Sequence, residues 1–297
     1  MWNECRRLWV KSDMMQAFSS NWTRPYAMSH PGQPYEIPDF ELLTTILSAL
    51  LWRKHNGSIR MITDCVGERY YRSLGLSSLW DDGITCELDA IPYTIDPSTY
   101  WAAGKLYALQ HVSAPCVMMD TDFIVWCALQ DRLADSDLTV IHRESLNPDI
   151  YPNTDAFSLA AGYQFPKEWN WETQACNTAF TYFGNDALRQ EYLSQCMKFI
   201  RATRGHDGLI YMVFAEQRLL AMCAQANGYQ IDALSTLEQL FSPEQTDFTH
   251  TWGFKQAMLE HPEMREMFCL RCAKRIIQDF PEYHEICANI PALKKYF

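Results

Sequence analysis

The sequence predicts an α/β protein with a mixed, mostly parallel sheet flanked by helices and a helical C-terminal extension. Three observations predict it. Short apolar runs alternate with stretches of helical period over residues 14–120. The 297 residues are 48 % hydrophobic and 21 % charged, which suits one large α/β domain at roughly 100–200 residues per domain. No low-complexity tract or solenoid-period repeat interrupts the alternation.

The elements follow in order. Met14 to Phe18 is a short apolar run, expected as a first strand. A loop with Pro25, Pro31, Pro34 and Pro38 leads to a helix over Phe40 to Lys54, where apolar residues recur at three- and four-residue spacings. Asn56-Gly57 breaks it. Ile59 to Thr63 is a buried strand, Glu68 to Leu74 a short helix and Ile84 to Leu88 a strand. Ser98 to Val112 is helical in pattern, with Ser98 placed to cap it. Cys116 to Met119 is an apolar strand ended by Asp120. Beyond it, Leu138 to Ile141 and Thr178 to Phe183 are strands; Asp186 to Arg201 and Phe214 to Gln225 are helices. Glu144 to Gln174 is irregular. From Lys255 the chain is helical in pieces cut by Pro262, Pro281 and Pro291. One domain over residues 1–255, with an extension over 256–297 packed on it, is the expected organisation.

Charge and cysteine content narrow the class. Lys and Arg number 25 against 36 Asp and Glu, a net charge of −11, which argues against a nucleic-acid surface. The odd count of 11 Cys, from Cys5 to Cys287, does not read as a secreted disulfide framework. Residues Met1 to Met15 lack the apolar stretch of a signal peptide. The longest apolar segment, Leu42 to Trp52, falls short of the ~18 residues of a membrane span. A soluble cytoplasmic protein with free thiols is the expectation.

The segment with chemical content is Val117-Met118-Met119-Asp120-Thr121-Asp122-Phe123-Ile124-Val125-Trp126. On an extended or tightly turned backbone, Asp120 and Asp122 point to one side. Two carboxylates beside a buried strand are costly unless paired, hydrated or metal-bound. Hard oxygen ligands suit Mg²⁺ or Mn²⁺, and strand C-termini are where open α/β sheets place their sites. A capped surface turn is the plainer alternative.

This segment resembles the Asp-x-Asp motif of nucleotide-sugar glycosyltransferases with the Rossmann-like GT-A fold. Trp101-Ala102-Ala103-Gly104-Lys105-Leu106-Tyr107 precedes it, with Lys105 where such families more often carry Arg. Downstream, His250-Thr251-Trp252-Gly253-Phe254-Lys255 resembles the C-terminal His-x-x-Gly element of family-8-type transferases, with Lys255 one residue early. The segments Leu47-Ser48-Ala49-Leu50-Leu51-Trp52 and Asp120 to Trp126 also resemble an uncharacterised bacterial family of GT-A-like proteins.

The resemblance implies Asp120, Asp122 and His250 as ligands of Mn²⁺ or Mg²⁺. It implies Lys105, Lys255, Gly253 and Thr121 near the diphosphate of a nucleotide-sugar donor, UDP-linked in the first instance. Asn177-Thr178-Ala179-Phe180 resembles the segment beside the donor sugar, with Ala179 where Gly is usual. Glu216-Gln217 resembles the acid-Gln pair facing the reaction centre, and Glu216 is the one named candidate for a base. Thr63, Asp64, Ser19 and Ser20 follow by fold analogy as base or ribose contacts. The acceptor is a glycan, lipid or protein. A non-catalytic GT-A-like protein that binds a nucleotide or glycan is the rival reading.

Other features are weighed more lightly. Cys269-Leu270-Arg271-Cys272 has no second ligand pair at zinc spacing and reads as core or helix cysteines. His142-Arg143-Glu144-Ser145 follows a strand and would border a pocket, and Gly205-His206-Asp207-Gly208 is a lid or a connector. Tyr163, Trp169 and Trp171 either face an acceptor or pack their loop onto the sheet.

Overall fold

A computed structural model describes residues 15–297. The chain runs β1 (Ala17–Asn21), α1 (Arg24–Ser29), α2 (Asp39–His55), β2 (Ile59–Thr63), α3 (Cys65–Ser73), β3 (Ile84–Thr85), α4 (Ala103–Leu109), β4 (Cys116–Met119), β5 (Phe123–Val125) and α5 (Gln130–Leu133). It continues as β6 (Leu138–Val140), β7 (Arg143–Glu144), β8 (Ala175–Cys176), β9 (Phe180–Phe183), α6 (Asp186–Ala202), α7 (Gly208–Val213), α8 (Leu219–Ala226) and β10 (Ile231–Ala233). β11 (Phe248–His250), α9 (Lys255–Glu260), α10 (Pro262–Asp279) and α11 (His284–Ala288) complete it.

Seven strands form one sheet in the order β10-β6-β9-β4-β1-β2-β3. β4, β1, β2 and β3 pair in parallel, as do β10 and β6; only β9 runs against its neighbours. The sheet is therefore mixed and mostly parallel, with helices on both faces. The alternation of side chains along each strand divides the interior in two. Ala17, Met61, Val117, Met119 and Phe180 face a cluster with α2 and α10. Phe18, Ile62, Met118, Val140 and Phe183 face a second cluster with α4, α6 and α8.

α2 explains the first cluster. Its residues from Phe40 to Trp52 are apolar nearly all round, and a helix of that kind has to be enclosed on every side. The sheet covers one side and α10 another. On α10, Cys269, Cys272, Ala273 and Ile276 recur at helical spacing and are buried in that cluster. The Cys-x-x-Cys pair thus packs as core. Pro262 opens α10 at its first turn, where its missing N–H costs nothing. Among the described residues, no helix is long and apolar enough to cross a membrane.

Several elements differ from the sequence reading. β1 spans Ala17–Asn21, not Met14 to Phe18; Met14 lies outside the described residues. Its polar half, Ser19 to Asn21, extends because each residue pairs with β2. β3 ends at Thr85, and a 3₁₀ turn over Glu87–Ala90 replaces the rest of the expected strand. Ser98 caps no helix: its N–H and hydroxyl both bond Asp96, and the chain turns until α4 starts at Ala103. α3 starts at Cys65 because Asp64 accepts the Gly67 N–H as its cap. The helix expected from Phe214 starts at Gly208, capped by Asp207, and carries a π turn over Phe214–Arg218. Gly205 to Gly208 is thereby the connector into α7. The ten described cysteines are free thiols; Cys5 lies outside the described residues.

Tyr163, Trp169 and Trp171 pack. Trp169 and Trp171, with Phe157, Phe165 and Phe199, surround Phe214, on which Trp171 stacks at 5.7 Å, and Tyr163 packs edge-on against Phe165 and Phe199. The buried Arg218 guanidinium fixes their loop by donating to the carbonyls of Tyr151 and Pro152, both at 2.7 Å, and of Trp171.

Candidate functional site

The site grows from the C-terminal end of β4. Asp120 is the first residue past the strand, and its N–H donates to the Ala179 carbonyl at 2.8 Å. The Phe123 N–H donates back to the Asp120 carbonyl at 3.1 Å, so Asp120 to Phe123 is a tight turn. β5 leaves that turn and pairs with β11 in antiparallel register, Phe123 opposite His250. This small two-stranded sheet returns His250, far along the chain, to the acids. Asp120, Asp122 and His250 each offer a ligand atom within 4.8 Å of the other two.

Two lysines bracket the cluster. Lys105 Nζ lies 2.7 Å from Asp120 Oδ1 and 2.5 Å from Glu216 Oε1. It reaches them because α4 approaches β1 closely: a Cβ at Gly104 would stand 2.7 Å from the Trp22 Cβ. Lys255 Nζ lies 3.0 Å from Asp122 Oδ2 and 3.8 Å from Glu41 Oε1. The other Asp122 oxygen, Oδ1, faces His250 Nε2 at 4.0 Å. The Thr251 hydroxyl donates to Asp122 Oδ2 at 3.3 Å, and the Thr178 hydroxyl to Glu216 Oε1 at 2.8 Å.

The electrostatics follow from burial. Burial pushes the Asp120 carboxyl up to about 7; Lys105 opposes the shift, while Asp122 and Glu216 add to it. Burial also disfavours the Asp122 charge, but Lys255 and His250 outweigh it and hold that carboxyl below its usual range. Burial lowers the His250 imidazole to about 4, so near neutral pH its ring is uncharged and has a lone pair to give. Both lysines are held above the ordinary lysine value, their carboxylate partners outweighing desolvation. With all four carboxylates (Asp120, Asp122, Glu216 and Glu41) ionised, the two lysines would leave two negative charges. A divalent cation matches that excess, and two carboxylates with a neutral imidazole form a donor set that suits one.

Other expected residues lie at varying remove. Ser19 is buried in β1. Thr63 donates its hydroxyl to the Asn21 carbonyl at 2.5 Å, and Asp64 accepts from the N–H groups of Thr23 and Gly67. Their polar partners are therefore neighbours in the fold, not members of the Asp120–Asp122–His250 group. Thr121 is half-buried in the turn between the acids. Gly253 and Asn177 line a cavity of about 380 Å³ with His142, His250, Trp252 and Phe254. Gln217 sits on the π turn beside Glu216 and accepts from the Tyr151 hydroxyl at 2.6 Å. That hydroxyl is also 2.7 Å from Glu144, which accepts from Asn177 at 3.0 Å, so a polar chain joins the cavity wall to the π turn.

Sequence reasoning missed Glu41, Thr251 and Thr178. Thr251 was within reach, being the neighbour of His250; Glu41 carries no local signal. A second cavity, about 780 Å³, opens beside Glu41 between Trp22, Tyr26, His30 and Tyr35. Tyr26 and His30 stack there at 4.2 Å.

Residues 14–290 match a family described as a family of unknown function, DUF6734. The chain belongs to that family. A search of curated proteins finds no match for it. Among solved structures, the DUF6734 chain is similar to mouse xyloside xylosyltransferase 1 in its apo form: 10 % identity, 74 % of this chain and 85 % of that one, TM-score 0.39. It is also similar to the PaToxG glycosyltransferase: 9 % identity, 77 % and 72 % of the chains, TM-score 0.40. A third is the galactosyltransferase LgtC in complex with donor and acceptor sugar analogues: 11 % identity, 69 % and 71 %, TM-score 0.36.

Proposed function

We propose that this chain is a metal-dependent glycosyltransferase of GT-A type that draws a sugar from a nucleoside-diphosphate donor, UDP-linked in the first instance. The observation that supports it best is the meeting of Asp120, Asp122 and His250 between two lysines at the C-terminal end of a central strand. Asp120, Asp122 and His250 hold Mn²⁺ or Mg²⁺. When bound, the ion supplies positive charge against the developing charge of the leaving diphosphate.

The remaining roles belong to the chain. Lys105 and Lys255 orient the acids in the free protein and present ammonium groups to the phosphates as point charges. Glu216 and Thr178 position Lys105. The aromatic cavity around Tyr26, Tyr35 and Trp22 suits a flat nucleobase, and Glu41 with Lys255 connects it to the metal cluster. The cavity beside His250 offers Trp252 and Phe254 to a sugar face, with His142 and Asn177 for its hydroxyls.

Calorimetry with UDP, with and without Mn²⁺, tests this reading. Tight binding only with the metal, lost in Asp122→Ala without loss of the fold, is the expected result. Equal affinity with and without metal, or an unchanged Asp122→Ala, would refute it. Slow hydrolysis of one member of a nucleotide-sugar panel separates a transferase from a binding protein.

A further inference from the structure

A second group of potential ligands lies on another part of the sheet edge. β2 ends at Thr63 and β3 at Thr85, and these neighbouring strands are parallel in the register Met61 to Ile84 and Ile62 to Thr85. Adjacent strands lie about 4.8 Å apart. Both chains therefore leave the sheet side by side, and each meets a cysteine at once: Cys65 opens α3, and Cys86 precedes the 3₁₀ turn Glu87–Ala90. Asp89 on that turn and Glu68 on α3 face the two thiols. Cys65 Sγ donates to Asp89 Oδ2 at 2.5 Å, and Cys86 Sγ donates to Glu68 Oε2 at 3.1 Å. Cys65, Cys86 and Asp89 each offer a ligand atom within 4.8 Å of the other two. Glu68 keeps Oε2 available because Arg72 takes its Oε1 at 2.7 Å.

We propose that Cys65, Cys86 and Asp89, with Glu68 beside Cys86 at the edge of the group, form a site for Zn²⁺ or a similar thiophilic divalent ion, separate from the Asp120–Asp122–His250 cluster. Two thiolates and one carboxylate are all zinc ligands, and they leave the fourth tetrahedral position to Glu68 or a water. The softness of sulfur separates this site from the oxygen-rich cluster, which suits Mn²⁺ or Mg²⁺. Ligands come from two segments about 20 residues apart, without the paired Cys-x-x-Cys spacing by which zinc sites are usually recognised in sequence.

Free thiols are mostly protonated near neutral pH, whereas zinc takes thiolates. Binding therefore releases both protons: one Zn²⁺ and two thiols give one dithiolate complex and two protons, with no oxidant involved. Affinity rises with pH accordingly. Once bound, the ion ties the first turn of α3 to the turn after β3, and so fixes two of the loops at the end of the sheet where Asp64 caps α3.

Cobalt(II) titration of the reduced 297-residue chain tests the assignment. Thiolate-to-cobalt charge-transfer absorption arises only where sulfur ligates, so the Asp120–Asp122–His250 cluster gives none. The expected result is a band that saturates at one equivalent, is displaced by Zn²⁺, and disappears in both Cys65→Ser and Cys86→Ser. Asp89→Asn should weaken cobalt binding at least tenfold while the circular dichroism of the fold stays unchanged. Both cysteines are only partly buried, which makes the serine variants tolerable to the fold. Absence of the band in the parent chain, or its persistence in the serine variants, would overturn the proposal.

Discussion

Lys105→Met probes the charge balance of the site directly. Lys105 makes two ion pairs in a largely enclosed setting, with side chains 14 % exposed for Lys105, 26 % for Asp120 and 3 % for Glu216. At an effective dielectric constant of about 20, a pair 2.7 Å apart attracts by about 6 kcal/mol, and desolvation cancels most of that. The larger effect is what the substitution leaves behind: two carboxylates facing one another without their cation. Breaking a buried pair in this way costs about 3–5 kcal/mol. For a chain of this length that lowers Tm by about 5–8 °C. Thermal and urea unfolding of the metal-free protein measure it. Mn²⁺ should then raise the Tm of Lys105→Met more than that of the parent chain, because the ion replaces the missing charge. A loss below about 1 kcal/mol, typical of hydrated surface pairs, would refute the reasoning.

Two further substitutions address how the fold presents the site. Gly104→Ala places a Cβ against Trp22, displaces α4 from β1 and should cost about 1–3 kcal/mol in urea unfolding, as overpacking does; a neutral result would mean that α4 has room to move. Asp39→Asn removes the partner of Arg265, Tyr296 and Lys295, which join the start of α2 to α10 and the C-terminal turn. Burial opposes the Asp39 charge, but the bonds from Arg265 and Tyr296 prevail and keep the carboxyl below its usual range. Its contribution is therefore complete above the unfolded value of about 3.9 and is lost as pH falls through the lower folded value. The variant should be about 2 kcal/mol less stable at pH 7, between the buried and surface cases, and the gap should narrow in urea titrations below about pH 4. A gap that widens with acid would contradict the assignment.

Much of the architecture was visible in the sequence where apolar periodicity is strong. The runs Ile59 to Thr63 and Cys116 to Met119 became strands at those bounds because each is short, largely buried and followed directly by an acid. The acids and His250 were legible as residue types, whereas their meeting depended on β5 and β11, each three residues long and too short for periodicity to reveal. α4 was overestimated because Asp96 captures Ser98 and Thr99 in a local turn that imitates a helix start. Glu41 and the Cys65–Cys86 pair left no trace in spacing, since both arise from elements brought side by side by sheet order.

The π turn over Phe214–Arg218 carries a consequence for how this chain can change. It holds one residue more than a regular helical turn, and within it Glu216 meets Lys105 while Arg218 meets the loop at Tyr151. Removing a single residue there would restore a regular helix and rotate everything on one side of the cut by about 100°. Glu216 and Arg218 would then no longer both face their partners. The length of the segment is thereby as much a part of the site as the side chains it carries.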